Sequence, residues 1–140
     1  MAAQVTLRIE VASHHLRAGQ TMPATVVIDN NTGAPLRLTG PNNCKPRFAI
    51  ALGGGRFPPK VLFPADCLDG PLVIPRGETR FNRKVDARTS GCSSQPQGPP
   101  PRCLATGGPP PLPPGTYLIQ WFDDGTGLPA PKAEPIRVVP

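Results

Sequence analysis

The sequence predicts an all-β fold, a sandwich or small barrel of about seven short strands, on three observations. Apolar residues alternate with a period of two in a series of short runs, turn residues cluster between those runs, and no stretch longer than about ten residues carries a helical period. The chain has 140 residues, one domain's worth and long enough to bury a core. Its 22 prolines and 15 glycines are a composition that often accompanies disorder. The prolines crowd between Pro96 and Pro114, however, and elsewhere the alternation is clean. Residues 4–140 therefore read as a single ordered domain with one proline-rich loop, 88–114, and residues 1–3 as a cloning start. No apolar run approaches the length of a membrane span.

The first strand is expected over Gln4 to Val11, with Val5, Leu7, Ile9 and Val11 on one face. Ser13 to Gly19 breaks the pattern, and His14 and His15 fall in that turn. Met22 to Asp29 is the second strand, burying Met22, Ala24, Val26 and Ile28, and Asn30 to Gly33 is a turn in which Asn and Gly tolerate positive φ. Leu36 to Thr39 follows, with Leu36 and Leu38 inward. Phe48, Ile50 and Leu52 mark the next strand, closed by Gly53 to Gly55. Five prolines between Arg56 and Pro75 limit pairing there to edge pieces, at Lys60–Phe63 and Leu72–Ile74. Glu78 to Ala87 places Thr79, Phe81, Arg83 and Val85 on one face, and Arg83 is a mismatch on that apolar side. Gly115 to Phe122 is the strongest strand, with Tyr117, Ile119 and Trp121 facing one way. Asp123 to Gly127 is a turn, and Pro135 to Val139 closes the fold.

Two runs resemble a known family. Gly19 to Gly33 (GQTMPATVVIDNNTG) resembles the glycine turn, TVTVTN strand and TG-x-PL turn of bacterial immunoglobulin-like modules. Pro114 to Ile119 (PGTYLI) resembles the PGTYxx entry to their penultimate strand. With the final strand the likeness covers about half the chain, and it is similar in particular to modules of secreted and cell-envelope proteins from high-GC Gram-positive bacteria. It implies an immunoglobulin-like antiparallel β-sandwich with no chemistry of its own. A weaker likeness extends to a bacterial proteinase-inhibitor family of similar fold. Antibody-type domains join their two central strands by a disulfide, whereas Met22–Asp29 and Tyr117–Phe122 hold no cysteine.

Cys44, Cys67, Cys92 and Cys103 are too widely spaced for a zinc site of C-x-x-C type, so two disulfides and an oxidising compartment are expected. Three pairings satisfy four cysteines. Cys44–Cys67 with Cys92–Cys103 is preferred, because each closes a loop-rich excursion, stabilising by roughly 3 kcal/mol on the chain-entropy model.

Catalysis is not expected, and no catalytic residue, cofactor or metal is assigned. The adjacent His14 and His15 point to opposite faces of an extended chain and cannot serve one site. Asp123-Asp-Gly-Thr-Gly127 lacks the acidic ligands of a calcium loop and reads as a tight turn. The net charge of +6 favours an acidic partner. Arg76, Arg80, Lys84 and Arg88 cluster on and around one strand as a basic stripe, and Arg102, Pro110 and Pro113 lie in a stiff proline-rich loop of the kind that docks in aromatic grooves. These seven are the candidate contact residues. A solvated basic face and a plain inter-sheet connection are the bland readings of the same features. Few aromatic residues remain for stacking on bases, so nucleic acid is not expected. The expected function is a monomeric, non-catalytic binding or structural module, secreted or in the cell envelope, contacting a protein or an anionic envelope polymer. The alternatives are a hydrolase inhibitor presenting Arg56 or Arg102 on a loop, and an accessory domain of a larger envelope enzyme.

Overall fold

A computed structural model describes residues 4–63, 66–94 and 100–140. In chain order its strands are β1 (Val5–Val11), β2 (His15–Arg17), β3 (Thr21–Asn30), β4 (Leu36–Leu38), β5 (Arg47–Gly53), β6 (Leu72–Ile74), β7 (Gly77–Asp86), β8 (Gly115–Asp124) and β9 (Glu134–Val139). There is no α-helix among the described residues, and none long and apolar enough to cross a membrane. The fold is all-β, as the alternation predicts. One sheet has the order β1-β3-β7, a second β2-β9-β8-β5, and β4 with β6 makes a short ribbon.

The two larger sheets share one core. From β3 come Met22, Ala24, Val26 and Ile28, and from the facing sheet Ile50, Leu52, Ile119, Ile136 and Val138, all buried. Each set occupies alternate positions of its strand, so the period-two pattern is the visible trace of this layer.

Three departures from the sequence reading have physical causes. His15 is not in a turn but in β2, which pairs parallel with β9, so the sandwich is not purely antiparallel. Three residues with one inward side chain, Leu16, are too few to show alternation. Lys60–Phe63 forms no strand, whereas Leu72–Ile74 pairs with Leu36–Leu38. The largest departure is Asn30. It closes β3 and is only 2% exposed. Its Nδ2 donates to the carbonyls of Ala34 (2.9 Å), Ile74 (3.2 Å) and Pro75 (3.2 Å), while its Oδ1 accepts from the Thr32 amide (3.1 Å) and hydroxyl (2.7 Å). One side chain thus ties the end of β3 to its own turn and to β6.

The outer face of the β1-β3-β7 sheet is closed by charge. Val27 points outward from β3 yet is fully buried, flanked in register by Arg8 of β1 and Arg80 of β7. Long arginine stems cover apolar surface while their heads stay wet. Arg8 pairs with Glu10 (3.2 Å), Asp29 (2.7 Å) and Glu78 (3.3 Å), and Arg80 with Glu78 (2.9 Å) and Glu10. Hydrogen bonds from Arg80 and then Arg8 hold the carboxyls of Glu10 and Glu78 below their ordinary value of 4.5. A depressed folded pKa contributes stability that is present above 4.5 and lost as pH falls through the lower folded value. Urea midpoints are therefore expected to fall below about pH 4.5, and the Glu10→Gln/Glu78→Gln variant to fall less over the same range. Parallel acid profiles for the two proteins would show that the lattice is not the cause. Each pair is solvent-exposed, so the effect also shrinks with added salt.

Candidate functional site

The described parts of the proline-rich loop are tied down. Residues 87–93 run beside 101–112: Thr89 N donates to Pro110 O (3.0 Å), Leu112 N to Ala87 O (2.9 Å), and Ser93 N to Pro101 O (2.9 Å). Cys92 is bonded to Cys103 near the far end of this double run, beside the Ser93–Pro101 contact, with Cα atoms 4.9 Å apart. Leu112 is buried, and the Pro113 carbonyl accepts from the Tyr117 hydroxyl at 2.6 Å. Pro110 and Pro113 thus use their carbonyls within the fold. Residues 95–99 of the expected docking segment lie outside the described residues.

The seven candidate contact residues do not converge. Arg80 is held in the Glu10–Glu78 lattice, so the expected basic stripe is interleaved with carboxylates. Lys84 is exposed on the same face of β7, opposite Pro23. Arg76 is exposed in the link before β7, Arg88 donates to the Gly19 carbonyl (3.0 Å), and Arg102 is exposed beside the second disulfide. His14 pairs with Glu134 at 3.0 Å on the surface. Asp123 spends both carboxylate oxygens on its turn, accepting from Thr126 and Gly127, and Asp124 pairs with Arg47 at 2.6 Å.

A different place has the shape of a site. β5 and β7 are edge strands of the two sheets and pack against each other across the sandwich. Phe48 of β5 stacks on Trp121 (centroids 4.8 Å apart, planes at 18°) and meets Phe81 of β7 edge-on (5.2 Å, 89°). Arg83 continues the inward phase of β7 past Phe81, and its guanidinium carbon lies 4.7 Å from the Phe48 centroid and 5.6 Å from that of Phe81. The mismatch in the sequence is therefore a cation set on an aromatic floor, a contact worth about 0.5–2 kcal/mol. Arg83 donates to the Asn82 carbonyl (3.0 Å) and makes no ion pair among the described residues. Burial pulls its pKa below the usual guanidinium value. It remains a cation, but a partly desolvated one.

Beside Arg83 lies a cavity of about 440 Å³, within the range of sites that take a ligand or an anchoring side chain. Phe48, Phe81, Leu68 and Leu72 supply apolar lining, and Lys45, Arg47, Asp66 and Asp124 the remaining charge. One wall is the Cys44–Cys67 disulfide, with Cα atoms 5.2 Å apart. It is the pairing preferred from the sequence. The backbone folds tightly behind it: a Cβ on Gly40 would fall 2.6 Å from the Cys44 carbonyl oxygen, so glycine is required there. None of Phe48, Phe81 or Arg83 was a candidate contact residue. The signal for them was the charge in the apolar phase of β7.

No family model matches the chain, and no curated protein sequence matches it. Among solved structures it is similar to the Pseudomonas fluorescens alkylpurine DNA glycosylase AlkC bound to DNA containing an abasic site analog, with a TM-score of 0.53 and 14% identity. The match covers 99% of this chain and 31% of that one, so the chain spans about a third of the glycosylase. Likeness at that identity is likeness of fold alone.

Proposed function

We propose that the chain is an immunoglobulin-like, non-catalytic binding module of an extracytoplasmic protein, which receives its partner at the cavity beside β5 and β7 that the Cys44–Cys67 disulfide walls. The observation that carries this reading is the cavity there, with a partly desolvated cation that no carboxylate of the described protein neutralises. The immunoglobulin-like assignment is supported by three strands facing four, by β2 running parallel to β9, and by the Tyr117 hydroxyl reaching back to Pro113 at the start of β8. That last contact has the form of the tyrosine corner of such sandwiches. Two disulfides favour an oxidising compartment.

A second reading, an accessory domain of a larger enzyme, is favoured by one observation: the glycosylase carries a similar fold as 31% of its chain. Both readings require a docking face.

A photo-activatable side chain at Leu68, which is 56% exposed on the cavity wall, is expected to cross-link one discrete protein in the native host's secreted and envelope fraction. The same group at Leu118, on the outer face of the β8 sheet, is expected to give none. Equal labelling from both positions, or none from Leu68, would sink the reading.

A further inference from the structure

We infer that the β5–β7 cavity takes an acidic side chain flanked by apolar residues on a partner segment, its carboxylate meeting Arg83 and its apolar neighbours resting on Phe81, Leu68 and Leu72. The inference rests on the binding reading above and adds the chemistry of what is bound.

Charge decides the head group. Of the cations lining the cavity, Arg47 already pairs with Asp124, whereas Arg83 is held by ring faces and one backbone carbonyl. A guanidinium prefers a carboxylate to either, and a charge-assisted bond is about twice as strong as a neutral one. Asp66 lines the cavity too, but it stands more than 4.0 Å from any Arg83 nitrogen, since no ion pair joins them, and Lys45 on the same lining offsets its charge. One available guanidinium over aromatic walls suits a monoanion with an apolar body. A phosphate-rich polymer would instead want a cluster of free cations.

Geometry decides the carrier. Leu68 is 56% exposed and Leu72 half-buried on the cavity lining, apolar surface beside Arg83, whereas β5 itself is buried from Phe48 to Gly53. An acidic side chain with apolar neighbours on the same chain matches both the cation and that surface, which a free small carboxylate does not. The disulfide wall preforms the cavity, which lowers the ordering cost of binding.

The test titrates the protein with acetyl-Leu-Glu-Leu-amide, its Gln counterpart, and hexanoate as a free small carboxylate. The single tryptophan, stacked on Phe48, reports binding by fluorescence. The Glu peptide is expected to bind at least about tenfold more tightly than either other probe. Arg83→Met should reduce it to the Gln level, while Arg83→Lys keeps the Glu preference. Should Arg83→Met fail to fold, the Glu–Gln comparison on the native protein and Arg83→Lys still decides. Equal binding of the Glu and Gln peptides, or an unchanged Arg83→Met, overturns the carboxylate assignment. Hexanoate binding as tightly as the Glu peptide overturns the peptide carrier. No binding of any probe, with the Leu68 cross-link intact, overturns this inference and leaves the binding module standing. Loss of that cross-link in the native protein removes both.

Discussion

Asn30→Ala is expected to lower the unfolding free energy by about 3 kcal/mol or more, measured as a fall in the urea midpoint at neutral pH. The alanine removes a donor that serves three carbonyls and an acceptor that serves the Thr32 amide and hydroxyl. At 2% exposure little water can replace it. Each buried polar group left without a partner costs about 1–3 kcal/mol, so even partial rescue by solvent leaves a large deficit. Because the carbonyls belong to the turn after β3, to β6 and to the residue following it, the damage should concentrate there. Amide exchange is expected to accelerate in β4 and β6 before it does in β8. A loss below about 1 kcal/mol would mean that the network is not closed in solution.

Removing the first disulfide by Cys44→Ala with Cys67→Ala is expected to cost about 3 kcal/mol and to weaken the Glu peptide as well. The corresponding Cys92→Ala/Cys103→Ala variant closes a shorter loop, 11 residues apart against 23. The chain-entropy model makes that loss smaller by about 0.7 kcal/mol. Peptide binding should be unaffected, because the second bridge lies in the 87–112 double run and not on the cavity wall. Denaturation curves and the tryptophan titration on both variants separate the two effects. Equal loss of peptide binding in both would mean that general loosening, not the wall, is responsible.

The strands read most directly are those whose side chains alternate for at least two full periods, although the three-residue β4 and β6 were also legible as short pieces among prolines. β1, β3, β5, β7, β8 and β9 meet that condition; burial follows the pattern except that β3 also buries Val27 and β5 is buried throughout from Phe48 to Gly53. β2 does not, since Leu16 alone marks its inward face. Asn30 was read as a turn residue because Asn-Asn-Thr-Gly is turn chemistry. Its role as a buried hub depends on Ile74 and Pro75, whose approach no local pattern encodes.

The site was half legible. Arg83 stood out as a charge in an apolar phase, and places where local rules fail are where function is best sought. What it faced could not be read. Phe48, Leu68 and Leu72 reach it from other segments, brought together by sheet packing and a disulfide. The carboxylates interleaved with the basic stripe were hidden for the same reason, since Glu10 sits beside Arg80 only after β1 and β7 flank β3.

The two disulfide rings are also consecutive rather than interlaced: 44–67 closes before 92 begins. On a chain emerging from its N-terminus, the first pair can meet while the second is still to be made, and neither ring needs the other as a template. Short separations make each closure entropically cheap, and no mispairing is needed on the way. The first ring encloses β5 and with it Phe48, so the wall of the cavity can be stapled before Phe81 and Trp121 arrive to complete its floor.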